Sequence, residues 1–348
     1  MAVVYTLLVL FLAVFVAGFI LLVMGAMNFD FSNSEIPPGV NQPVKLRIIH
    51  VILICRAVVG KILENTGICS QVSFVRYVQG RKTLGADPKL FIKDRWFEKV
   101  PVRIYQPKVP PASQRRGVMF FHGGGWVSGS LVFSSCNSLT YATDNISIPE
   151  KKTQNKPNPN PTKHFFQRPT TSYAALLPQT VTQWLYLLGE SFLMLFFRLF
   201  PIYLNGDASN LEEVLEGSHI PIDIKLNYSK WVSPDNIPEK FKVRGYKPHV
   251  LLDCTTEVYE TVKRFCEPNL CPLLAEDAIV HQLPESFILT CEYDVLRDDG
   301  LLYKKRLEDN GVRVTWYHLE DGFHGIINSF NSDWLSFSSG KRGLDNIV

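Results

Sequence analysis

His122-Gly123-Gly124-Gly125-Trp126 follows the apolar run Gly117-Val118-Met119-Phe120-Phe121, and about 170 residues later come Cys291-Glu292-Tyr293-Asp294 and Asp321-Gly322-Phe323-His324-Gly325. Acyl transfer needs the groups these segments offer: backbone N–H donors for a tetrahedral oxyanion, an imidazole to carry a proton, and a carboxylate to orient it. Successive glycines let consecutive N–H groups converge on one point with no side chain in the way, so Gly123, Gly124 and Gly125, led in by His122, form a candidate oxyanion hole. Taken singly, a Gly-rich stretch is an ordinary strand-to-helix turn, an Asp in a turn is a cap, and a His is a satisfied surface or core residue. The order oxyanion loop, acid, base, each after a strand-like run, singles out Asp294 as orienting acid and His324 as general base.

The elements that must position these groups are readable nearby. Ser286-Phe287-Ile288-Leu289-Thr290-Cys291 is a short apolar run ending at Asp294. Gly300 to Asn310 has helical spacing, with Leu301, Leu302, Tyr303 and Leu307 on one side and Gly311 in the stop position. Val312 to His318 alternates like a strand, and an Asp321-Gly322 turn is expected to deliver His324. In a doubly wound sheet, Asp294 and His324 then sit on loops beyond the carboxyl ends of neighbouring strands, the edge from which the His122 loop also emerges.

The HGGGW loop, Cys271-Pro272-Leu273-Leu274-Ala275 with Leu283-Pro284, the run from Cys291 to Val312, and Asp321 to Gly325 together resemble the hormone-sensitive-lipase branch of the α/β-hydrolases, most closely the arylacetamide deacetylase-like proteins. The resemblance covers roughly residues 28–133 and 200–330. It implies an α/β-hydrolase fold, a mostly parallel sheet with helices on both faces. It also implies serine-dependent hydrolysis of carboxylic esters or amides of apolar acyl groups, deacetylase- or lipase-like, with neither metal nor organic cofactor. In that family the glycines after His122 form the oxyanion hole, Asp294 orients the base and His324 is the base. Members can carry a Cys directly after the loop Trp that bridges to the counterpart of Cys291; here that position is Val127 and the bridge is lost.

The family's nucleophile is a Ser in a Gly-Asp/Glu-Ser-x-Gly-Gly elbow, and no G-x-S-x-G occurs in this chain. The nearest match is Gly189-Glu190-Ser191-Phe192-Leu193, after the apolar run Trp184 to Leu188. The elbow is a strained turn whose residues two before and two after the Ser must be small; Gly189 meets the first demand and Leu193 violates the second. Ser191 is therefore either the nucleophile or a Gly-Glu-Ser triplet inside a hydrophobic helix. Ser209 opens the capping box Ser209-Asn210-Leu211-Glu212 and reads as a helix N-cap. Residues 134–162 carry repeated prolines and too few apolar groups to offset ordering entropy, so an atypical or disordered insert is expected over about 134–175. The interval from Ser191 to Asp294 is also shorter than the family's, so the sheet is expected to be incomplete at its centre. Two functions stand open: a serine hydrolase, or a catalytically dead, membrane-anchored remnant that keeps acid, base and oxyanion loop.

With 348 residues, 46% of them apolar and 20% charged, the chain supports one large α/β domain, and a net charge of +3 is too slight to suggest nucleic acid. Seven cysteines form no C-x-x-C pair and no metal-ligand spacing, which argues against a zinc or redox site. Ala2 to Asn28 is uncharged and apolar, and as a helix it would be about 40 Å long against a hydrocarbon core of about 30 Å. It reads as an uncleaved anchor, since it exceeds a signal-peptide core and lacks a basic leading region. The nearest charges, the α-amino group on one side and Asp30 and Glu35 on the other, favour a cytoplasmic N-terminus. With the resemblance, this implies an endoplasmic-reticulum membrane protein whose hydrolase domain is lumenal, with sequons at Asn145 and Asn227 open to glycosylation.

The expected division is an anchor over 1–28, linker and cap helices over 29–85, and a hydrolase domain over 86–348. Ile48 to Val59, interrupted by His50 and Arg56, suits an amphipathic helix over the substrate entrance or on the bilayer surface. Trp184 to Leu204 contains Glu190 and Arg198 and reads as a buried or cap helix before a second span. The polar tail after Asn328 looks short of the closing helix usual in the family. The expected partners are a small-molecule or lipid acyl ester or amide and the membrane, through the N-terminal helix.

Overall fold

The computed structural model describes residues 2–33, 36, 38–80, 88–97, 99–108, 213, 218–242, 256–268, 271–294, 296–329 and 336–347. The His122–Gly125 loop, Asn145, Ser191 with the stretch 184–204, Ser209 and the insert at about 134–175 lie outside these residues.

Helix α1 (Ala2–Asn33) carries only apolar and small side chains over most of its length, and within it Val3–Asn28 is long and apolar enough to cross a membrane. Helix α2 (Pro43–Asn65) starts with Pro at its first position, where the missing N–H costs no hydrogen bond. Its buried stripe is Leu46, His50 and Ile54, spaced by one turn, while Arg56 is exposed. The helix stops at Gly67, whose φ of 73° suits a glycine, and Ile68 N bonds back to Leu63 O. Helix α3 (Gln71–Gly80) folds against α2 where Gly60 leaves room: a Cβ there would stand 2.9 Å from Gln71 Cγ.

Strands β1 (Leu90–Phe97) and β2 (Val100–Pro107) form an antiparallel hairpin in which Arg103 grips the Asp94 carboxylate through Nε at 2.6 Å and Nη2 at 2.8 Å. Further along lie α4 (Ile222–Val232) and the short helices α5 (Thr256–Val262) and α6 (Asp277–Val280). Asn227 is exposed on α4.

The site rests on strand β3 (Ser286–Tyr293), helix α7 (Arg297–Asp309) and strand β4 (Val314–Phe323), with β3 and β4 parallel. Side chains alternate across this pair. On one face Cys291, Tyr293, Leu319 and Phe323 pack with Leu46 of α2 and with Phe337. Val40 joins the same cluster, and Gly39 lies so close to Tyr293 Oη that any side chain there would collide with it. On the other face Leu301 and Leu302 of α7 pack with Phe241, Leu273 and Leu274. Buried Arg306 fastens α7 to that cluster by donating to the carbonyls of Leu273 (3.3 Å) and Ala275 (2.5 Å) and pairing with Asp277. Helix α7 begins three residues before the expected Gly300. Its first turn holds Asp298, a carboxylate that suits the positive end of a helix. It ends as expected, with Gly311 at φ 76°.

Two expectations fail here. Asp321-Gly322 is not a turn; both residues belong to β4, and the turn falls at His324-Gly325, where Gly325 has φ 74°. The dipeptide forms a bulge: Cys291 pairs with Leu319, but Tyr293 pairs with Phe323, so β4 carries extra residues against Glu292. A Cβ on Gly322 would stand 2.8 Å from Leu319 Cβ and 2.9 Å from Cys291 Sγ, so the bulge closes only on glycine. Nor does the polar tail lack a helix. Helix α8 (Ser338–Ile347) forms despite Gly340 and Gly343, because tertiary contact overrides propensity. Leu344 is buried, Gly343 sits against Leu319 and Leu289, and Ser339 and Arg342 both bind the Asp321 carboxylate.

Candidate active site

Asp294 is the residue after β3 and His324 the residue after β4, so both stand at the carboxyl edge of the parallel pair. The bulge decides that they meet. Continuing the Tyr293–Phe323 pairing by one residue sets Asp294 opposite His324, whereas an unbulged ladder would set it opposite Gly322. His324 N donates to Tyr293 O at 3.2 Å, closing the ladder behind the pair.

Asp294 Oδ1 lies 2.9 Å from His324 Nδ1. The same oxygen accepts from Leu296 N at 2.8 Å, and Arg297 N donates to Asp294 O at 3.0 Å, so side chain and backbone of the acid are both held by the loop that starts α7. A carboxylate at Nδ1 favours the imidazole tautomer with its proton there, leaving Nε2 as the atom for exchange. The Asp294 charge raises the His324 imidazole above its ordinary value, against a smaller opposing effect of burial. Solvent still reaches the ring, whose side chain is 46% exposed while that of Asp294 is 18% exposed. Such a pair can take a proton from a hydroxyl, hold the resulting imidazolium and return the proton to a leaving group.

Neighbouring groups are tuned the other way. Burial pushes the Cys291 thiol well up, with the charges of Asp294 and Asp321 adding to the effect, so it is no nucleophile at neutral pH. Asp299 is also buried, and its carboxyl is held well above the usual range by burial and then by Asp298 and Asp294. Its Oδ1 has no hydrogen-bond partner among the described residues. Burial would raise Asp321 as well, but Ser339 and the Arg342 guanidinium hold it below the usual range. Among the described residues no group of three or more His, Cys, Asp or Glu side chains could hold a metal ion.

A second cluster escaped the sequence reading: His318 Nε2 stands 3.0 Å from Glu292 Oε2, and Arg297 Nη1 2.9 Å from Glu292 Oε1. The available signal was polar Thr290, Glu292 and His318 recurring at alternate positions, which places them on one face of the strand pair.

A family model described as alpha/beta hydrolase fold matches residues 239–328, the stretch that holds the parallel strand pair, the intervening helix and the Asp294–His324 contact. Human "Arylacetamide deacetylase-like 4" is 35% identical over an alignment of 404 residues that covers 100% of this chain and 98% of that protein. Mouse "Arylacetamide deacetylase-like 3" is 34% identical, covering 99% of this chain and 97% of that one, and rat "Arylacetamide deacetylase" is 30% identical, covering 70% and 76%. A solved fungal esterase from Rhizomucor miehei, 17% identical, covers 79% of this chain and 88% of its own at a TM-score of 0.41, a likeness too loose to carry detail. The chain belongs to the arylacetamide deacetylase-like family of α/β-hydrolases.

Proposed function

We propose that the protein is a membrane-anchored serine hydrolase of carboxylic esters or amides with apolar acyl groups, in which His324 performs the proton transfers and Asp294 orients it. The observation that carries this is the 2.9 Å contact between Asp294 Oδ1 and His324 Nδ1 at the ends of adjacent parallel strands. The Ser191 hydroxyl attacks the acyl carbonyl as His324 Nε2 takes its proton. The imidazolium is held by Asp294, the oxyanion by the amides of Gly123 to Gly125. His324 then protonates the departing alcohol or amine, and water repeats the sequence to release the acid. Relatives with deacetylase in their names and an α/β-hydrolase family match support an acyl ester or amide as substrate. The apolar helix Val3–Asn28 supports the anchor, in the endoplasmic-reticulum membrane with the hydrolase domain lumenal and Asn145 and Asn227 as glycosylation sites.

Two observations favour a second reading, a tethered relative without a mounted nucleophile. Leu193 occupies a position where the elbow needs a small residue. In addition, the alignment with the human relative runs over 404 positions against the 348 residues of this chain, the difference being residues of the relative that face nothing here. A fluorophosphonate probe on detergent-solubilised full chain separates the two. Labelling lost in Ser191→Ala makes Ser191 the nucleophile. No labelling, with hydrolysis of a short acyl ester within about tenfold of the Ser191→Ala control, selects the second reading, because an intact triad loses several orders of magnitude with its Ser.

A further inference from the structure

Beneath the Asp294–His324 pair runs a directional chain of hydrogen bonds. Trp316 Nε1 stands 3.0 Å from Thr290 Oγ1, and the same oxygen stands 2.9 Å from His318 Nδ1. An indole N–H can only donate, so Thr290 accepts from Trp316. Thr290 is 4% exposed, and His318 Nδ1 is the one acceptor its hydroxyl proton meets among the described residues. His318 Nδ1 is therefore the acceptor, and a neutral ring carries its proton on Nε2, which donates to Glu292. Glu292 is shared with Arg297, whose Nε holds Asp298 Oδ1 at 2.8 Å and whose Nη2 holds Phe241 O at 2.7 Å. A hydroxyl–imidazole–carboxylate run has the outline of a nucleophile triad, but its hydroxyl lies inside the protein, where no acyl group reaches it.

We propose that Glu292, His318 and Arg297 are positioning residues whose hydrogen-bond chain clamps β3, β4 and the start of α7, and so keeps Asp294 in register with His324. This rests on the proton-transfer role given to that pair. The clamp sits where the register is most at risk. Cys291 and Tyr293 bound the bulge, Glu292 lies between them, and a slip of the extra β4 residues would carry His324 away from Asp294. Glu292 ties to β4 before the bulge through His318, and to the far side of the acid's loop through Arg297. The side chains are 10–16% exposed, where the single contacts of Arg297 and His318 with Glu292 are little screened by solvent.

The test uses detergent-solubilised full chain with 15N-labelled histidine, the His324 signal being assigned by its loss in His324→Gln. Arg297→Lys and Glu292→Asp keep every charge and break only the geometry, so any change at His324 reports the position of Asp294 and not a lost field. In the wild-type chain His324 is expected to titrate above the ordinary imidazole value, and the neutral His318 ring is expected to carry its proton on Nε2. In Arg297→Lys and Glu292→Asp the His324 midpoint is expected to fall by about half a unit or more toward the ordinary value while the thermal transition stays cooperative. An unchanged midpoint in both folded variants overturns the positioning role and leaves the proposed function standing. A wild-type midpoint at the ordinary value overturns both. Should neither variant fold, the tautomer of the neutral wild-type ring decides: an Nδ1–H His318 overturns the clamp, and Nε2–H supports it.

Discussion

The protein holds two imidazole–carboxylate pairs on the same two strands, at nearly the same distance: His324–Asp294 at 2.9 Å and His318–Glu292 at 3.0 Å. They differ in what surrounds them. His324 is 46% exposed at the sheet edge, while His318 is 12% exposed and has a described hydrogen-bond partner on each ring nitrogen. A histidine whose two nitrogens are both held by buried side chains is a structural part, and only one with a nitrogen within a substrate's reach can exchange protons with it. Distance between base and acid does not separate the two roles; access does.

That contrast can be broken first through stability. Glu292→Leu removes the carboxylate shared by Arg297 and His318, leaving Arg297 with Asp298, and is expected to cost about 3 kcal/mol in chemical denaturation, the scale for two lost bonds to a charged group. Asp294→Leu, at the solvent-facing pair, is expected to cost far less, and equal losses would erase the distinction. Gly322→Ala sets a Cβ against Leu319 and Cys291 and is expected to cost about 1–3 kcal/mol while lowering the His324 midpoint, because the bulge that aligns the pair no longer closes. Loss of stability with the midpoint intact would separate the bulge from the alignment.

Asp299→Asn is expected to stabilise. The folded carboxyl resists ionisation, so above its ordinary value of 3.8 the unfolded chain releases a proton that the folded chain keeps, and stability falls as pH rises toward the folded value. Asn lacks that penalty, and its advantage should grow steadily between pH 3 and pH 7. A pH-independent difference would mean that Asp299 is not the strained group. The smallest effect belongs to His324 itself. Its folded value is raised above 6.5, so its stabilising contribution is complete below 6.5 and lost as pH climbs through the folded value. For a ring this exposed, screening limits the difference between wild type and His324→Ala to below about 1 kcal/mol, present at pH 5 and gone at high pH.

Much of this arrangement was open to reading in the chain itself. The apolar run before Asp294, the alternation before His324 and the helical spacing between them are local patterns, and local patterns specify local structure. The same holds for the helix α1, whose apolar composition runs unbroken over Val3–Asn28. The bulge was not readable, since Asp-Gly is also a turn signal and only the crowding of Leu319 and Cys291 against Gly322 shows which role it takes. Helix α8 was hidden because its glycines and charges argue against a helix, and its stability comes from Leu319, Leu289 and Asp321 far off in the chain.

Residue identity and order are enough to pick out Asp294, His324 and the strands that end at them, because each depends on neighbours a few positions away. Which histidine faces solvent and which is locked between Thr290 and Glu292 depends on the parallel register of β3 and β4 and on the helix laid across one face. Those are contacts between residues 26 or more positions apart, and no window along the chain contains both partners.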